Sequence, residues 1–93
     1  MQNEDLIAIS EFCIHYNAEI SFIHSLREYG LIETTIIENS VFIPKEQLPQ
    51  LEKFTRLHYD MDINLQGIEA INNLLQRVHD LQIEITQLKN KLH

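Results

Sequence analysis

Residues 18–43, AEISFIHSLREYGLIETTIIENSVFI, decide how this chain folds. Ile20, Ile23 and Leu26 recur at helical spacing and define an inward face for a helix over about Ala18–Tyr29. Gly30 is a good stop, because it adopts the left-handed conformation that closes a helix, and Leu31 and Ile32 fold back over that end. Beyond it, Thr34–Ile37 and Val41–Ile43 are rich in β-branched residues and flank the turn formers Glu38-Asn39-Ser40. That pattern predicts a β-hairpin. Upstream, Leu6–Ile9 suits an edge strand, and Ser10 is placed to cap a short helix over Ser10–Tyr16. Phe12, Cys13, Ile14 and Tyr16 make that helix mostly buried, and Asn17 marks a turn or the next cap. Two helices with a tight turn, then a hairpin, form a winged helix–turn–helix.

Downstream, Pro44 ends the second strand and Pro49 suits the first turn of a helix but not its interior. Lys45–Leu48 is therefore a turn, and Pro49–Tyr59 a helix with Leu48, Leu51, Phe54 and Leu57 on its core side. After the polar break Asp60–Asn64, residues Ile71, Leu74, Val78, Leu81, Ile85, Leu88 and Leu92 alternate spacings of three and four without a miss. This is a heptad seam, with β-branched residues at three of the four first-seam sites and leucine throughout the second, which favours two strands. So long a seam on a thin helix calls for a second helix, most simply that of another copy. The competing arrangement folds the seam back on its own domain. Orientation stays open, since Arg77 and Glu84 suit an antiparallel pair, Glu84 and Lys89 a parallel one. The expected fold is mainly α: a winged helix–turn–helix over residues 1–62 and a C-terminal dimerisation helix over 63–93.

Charge then narrows the function. Fourteen acidic residues against seven basic ones give a net charge of −7. The second helix, Ala18–Gly30, carries one cation, Arg27, against Glu19 and Glu28, and the hairpin carries Glu33 and Glu38 with no cation. Duplex binders gain most of their affinity from Lys and Arg that neutralise phosphates. Nucleic acid is thus disfavoured, as are anionic membranes, and a basic protein surface is favoured. A single cysteine, Cys13, forms no intramolecular disulfide and fits a reduced, cytoplasmic setting. Met1–Asp5 is polar and acidic, unlike a secretory signal, and no apolar run approaches the roughly 20 residues that span a bilayer.

Catalytic and metal sites find little support. Asp60-Met61-Asp62-Ile63-Asn64 opens like a calcium loop, but the glycine and glutamate such a loop needs at its sixth and twelfth positions are here Leu65 and Ile71. The segment reads better as an acidic turn in which Asn64 or Asp62 caps the last helix and Gly67 allows close packing. His15, His24, His58, His79 and His93 are scattered, and Cys13 reads as a small core residue. Phe22, Tyr29, Phe42 and Tyr59 lack interleaved cations, and Lys53 and Arg56 make only a small basic face. No cofactor, no metal and no enzymatic activity are expected.

The order of elements is similar to that of MerR-like regulators. A closer likeness lies in Ile9-Ser10-Glu11-Phe12-Cys13-Ile14-His15, in Tyr29-Gly30-Leu31-Ile32-Glu33, in Val41-Phe42, and in Arg56-Leu57-His58-Tyr59-Asp60-Met61-Asp62-Ile63-Asn64-Leu65-Gln66-Gly67-Ile68. These resemble the chaperone-modulator family of CbpM type. Where transcriptional relatives carry Arg and aromatic readers on the second helix, this chain has Ser21, Phe22, Ile23 and His24. The resemblance implies a non-catalytic adaptor that binds and inhibits the J-domain of a DnaJ- or CbpA-type co-chaperone. Glu19, Glu28, Glu33 and Glu38 are the expected contacts, with Asp60 and Asp62 as a second possibility. The alternative is a dimeric MerR-like transcriptional regulator on operator DNA.

Overall fold

The computed structural model describes residues 5–92; residues 1–4, which hold most of the polar N-terminal stretch, and His93 lie outside the described residues. The chain runs β1 (Leu6–Ala8), α1 (Ile9–Tyr16), α2 (Ile20–Glu28), β2 (Thr35–Ile37), β3 (Ser40–Pro44), a 3₁₀ turn (Lys45–Gln47), α3 (Leu48–Tyr59) and α4 (Leu65–Lys91). The architecture is the mainly helical winged helix–turn–helix that the sequence predicts. All three strands join one antiparallel sheet in the order β1-β3-β2, so Leu6–Ala8 is indeed an edge strand. Ile7 faces Ile43 across one ladder, and Ile36 faces Val41 across the other.

The turns follow from residues that tolerate positive φ. Asn17 closes α1 in the left-handed region (φ 53), and Gly30 (φ 75) lets the Leu31 N–H reach back to the Leu26 carbonyl at 3.0 Å. At the wing tip Glu38 (φ 49) and Asn39 (φ 67) are both left-handed, with Ile37 paired to Ser40. This is the two-residue turn whose twist matches a hairpin. Asn64 caps α4, its Oδ1 accepting from the Gly67 N–H at 2.8 Å. A Cβ at position 67 would sit 2.7 Å from Ile63 Cγ2, which is why glycine stands there.

The core joins Ile9, Phe12 and Cys13 of α1 to Phe22, Ile23 and Leu26 of α2, with Ile32 from the link, Ile43 of β3, Leu51 and Phe54 of α3, and Ile68 of α4. Only the first turns of α4 are thereby tied to the globule. Burial pushes the Cys13 thiol above its ordinary pKa, in keeping with a core residue. Thr55 is the buried polar residue of the core, its hydroxyl donating to the Leu51 carbonyl at 2.8 Å.

Four local expectations need correction. Ser10 does not cap α1: the helix begins one residue earlier, with extended Ala8 at the N-cap position and no side-chain cap. Ile14 is 83% exposed. At about 100° per residue it lies roughly 150° round from the stripe made by Ile9, Phe12 and Cys13. Tyr16 is exposed too, its ring stacked on Phe12 with centroids 4.4 Å apart and its hydroxyl donating to Glu52. Ile20 is 49% exposed, because Phe22 rather than Ile20 completes the inward stripe with Ile23 and Leu26, leaving Ile20 roughly 110° away. Of the two aromatics on that helix, Phe22 is buried and stacks on His58 at 4.4 Å, while Tyr29 is half-buried.

Candidate functional site

All six acidic candidates are exposed. Glu19 is the N-cap residue of α2, and its backbone N–H donates to the Tyr59 hydroxyl at 2.9 Å. Tyr59 in turn lines a cleft of about 330 Å³ with Asp60, Tyr16, Glu52 and Arg56. The structure thus sets the Glu19 backbone against Tyr59, while Asp60 and not Glu19 lines the cleft beside it. It also adds Glu52, which sequence reasoning passed over because its partner Tyr16 lies 36 residues away. Glu28 is the last residue of α2. Glu33 stands apart from these, its backbone N–H donating to Gln47 Oε1 at 2.8 Å beside a shallow cleft that also holds Glu46. Glu38 is at the wing tip, and Asp62 takes positive φ (57) in the turn between α3 and α4. The carboxylates therefore surround the unit on several sides.

The face presented by α2 and the wing is poor in cations. A groove of about 220 Å³ runs between them, lined by Ala8, Ile9 and Ser10, by Ile20 and His24 of α2, and by Ser40, Val41 and Phe42 of β3. No Lys or Arg lines it. Arg56 sits in the Tyr59–Asp60 cleft instead, and Lys53 lies 5.6 Å from the centroid of the Phe54 ring. Arg27 alone stands on α2. A duplex docked against this face would meet one guanidinium, where phosphate neutralisation needs several.

The helix–turn–helix, the three-stranded wing and the long C-terminal helix now stand together, and one comparison assigns them. A family model described as MerR HTH family regulatory protein matches residues 7–90, nearly the whole chain. The chain belongs to the MerR helix–turn–helix regulatory family. Members of this family are in general regulators and not enzymes. No curated protein and no solved structure matches the chain.

Against the family frame, α4 extends for 27 residues, about 40 Å at the usual rise. Ile68 is fully buried at its root and Ile71 is half-buried, whereas Leu74, Val78, Leu81, Ile85, Leu88 and Leu92 are all exposed. The seam does not fold back on the globule. No helix of the described residues is long and apolar enough to cross a membrane. Among the described residues, no three His, Cys, Asp or Glu side chains gather as a metal-holding group.

Proposed function

We propose that this regulator is a non-catalytic, cytoplasmic adaptor that binds the J-domain of a DnaJ- or CbpA-type co-chaperone and inhibits it. The observation that carries this reading is the α2–wing face, whose groove is lined by no Lys or Arg and whose elements end in the carboxylates Glu28, at the close of α2, and Glu38, at the wing tip. J-domains engage DnaK-type chaperones through a basic helical face, and an acidic competitor of complementary charge would occupy that face and block delivery. Glu19, Glu28, Glu33 and Glu38 are the contacts assigned first, with Asp60 and Asp62 behind them. Residues 1–62 carry the binding unit, and from 63 onward the chain pairs with a second copy through Ile71, Leu74, Val78, Leu81, Ile85, Leu88 and Leu92. The exposure of that seam supports the pairing.

Titration of an isolated J-domain into the full chain, read by calorimetry across a salt series, tests the reading. The wild type is expected to bind with a salt-dependent affinity, and the double variant Glu28→Lys/Glu33→Lys to bind more than about tenfold more weakly. Unchanged affinity and unchanged salt dependence would remove those two residues from the contact. A second function, operator binding by a MerR-like dimer, is favoured only by family membership. Tight retardation of random duplex at low salt would reverse the ranking.

A further inference from the structure

The carboxylates explain why a basic partner approaches but not where it anchors. Ile20 is 49% exposed and Ile36 61% exposed, although both sit on the rigid helix–wing unit and not on the free seam of α4. They are not isolated. Ile20 lines the groove between α2 and the sheet, and so does Val41, the residue paired directly opposite Ile36. Directly paired residues on antiparallel strands point to the same face, so Ile36 prolongs the floor that Val41 begins. Val41 is half-buried and packs on the core, which fixes that floor in place. An exposed apolar strip rimmed by polar groups marks an interaction surface.

The charge of the segment that builds the groove selects the occupant. Between Asp5 and Pro44 the chain carries six carboxylates, Asp5, Glu11, Glu19, Glu28, Glu33 and Glu38, against the single cation Arg27. Glu38 stands at the wing tip, and Glu28 lies one turn beyond His24 on the same side of α2. We propose that this groove seats the apolar stripe of a basic amphipathic helix, with Ile20, Val41 and Ile36 as its floor and Glu28 and Glu38 meeting the helix's Lys and Arg. Helix-in-groove docking divides the work in this way: apolar anchors hold the partner, and flanking charges steer it. The proposal builds on the basic helical partner assigned above and adds the residues that anchor it.

The test uses the full chain and two fluorescent Leu/Lys peptides of identical composition, one with its leucines on a single helical face and one scrambled. The patterned peptide is expected to bind at least about tenfold more tightly than the scrambled one, and the variant Ile20→Ser/Ile36→Ser to erase that difference. Both isoleucines are substantially exposed, so the variant should keep its helical circular dichroism. Undiminished binding of the patterned peptide by the variant overturns the proposal, as does a loss that follows Leu81→Asp but not the groove substitutions. Displacement of the peptide by random duplex would give the groove to nucleic acid and overturn it equally. An isolated J-domain separates the two readings. If it fails to bind while the peptides behave as stated, the groove stands and the J-domain assignment falls. If it binds wild type and Ile20→Ser/Ile36→Ser alike, the assignment stands and the groove falls.

Discussion

In α2, Ile23 and Leu26 stand three residues apart and are fully buried; in α4, Val78 and Leu81 stand three residues apart and are about half exposed. The two pairs have similar apolar chemistry and the same helical spacing. What differs is the surroundings. Helix α2 meets α1, the sheet and α3 within its own chain, while α4 leaves the globule after Ile68, Ile71 and Asn72, the last accepting from Gln50 of α3, and its seam from Leu74 onward is exposed. Periodicity therefore identifies a stripe that requires cover, and only the tertiary arrangement says whether the chain supplies it. If a second copy supplies the missing cover of α4, as proposed above, the globule's stability is a property of the single chain and the tail's a property of concentration.

Three substitutions sharpen or break that contrast. The largest effect is expected at Phe54, which is fully buried at the centre of the globule. Phe54→Ala should cost about 3–5 kcal/mol of unfolding free energy, a loss measurable by urea denaturation and large enough to unfold so small a unit. A cost near zero would mean the core does not hold as described. Next comes Leu81→Asp in the seam, which places a charge where two helices would meet. It should convert a pair to single chains in sedimentation velocity and abolish the concentration dependence of Tm, with the globule still folded. A variant that remains paired would show that the tail finds its cover elsewhere. The smallest effect belongs to the joint between the regions. Asn64→Ala removes the cap on α4 and should lower stability by about 1 kcal/mol, seen as a small drop in Tm. A far larger drop would mean the joint transmits strain from tail to globule.

Much of this was readable from the residues. The heptad seam, the hairpin around Glu38 and Asn39, the stop at Gly30 and a cap at Asn64 or Asp62 each depend on local chemistry, which a sequence displays directly; the structure selects Asn64. Ile14 and Ile20 read as inward because apolar character alone does not tell which of two adjacent stripes faces the core; Ile9, Phe12 and Cys13 decide that for α1, and Phe22, stacked on His58 across 36 residues of chain, decides it for α2. Ser10 failed as a cap because β1 runs straight into α1, a consequence of sheet pairing and not of propensity. For the binding face, the scarcity of cations was legible and the groove was not. Its walls come from α2 and β3, and only folding makes Ile20 a neighbour of Val41.

The order β1-β3-β2 leaves the outer margin of β2 without a neighbour, and that strand is merely Thr35-Ile36-Ile37. Two isoleucines on an open margin invite the same strand of another molecule to add on, the first step toward aggregation. Glu33 precedes this margin and Glu38 follows it, so like-charge repulsion between approaching copies guards the site. Swapping these glutamates for alanine would therefore confound a binding measurement with insolubility, whereas lysine keeps the repulsion and changes only its sign.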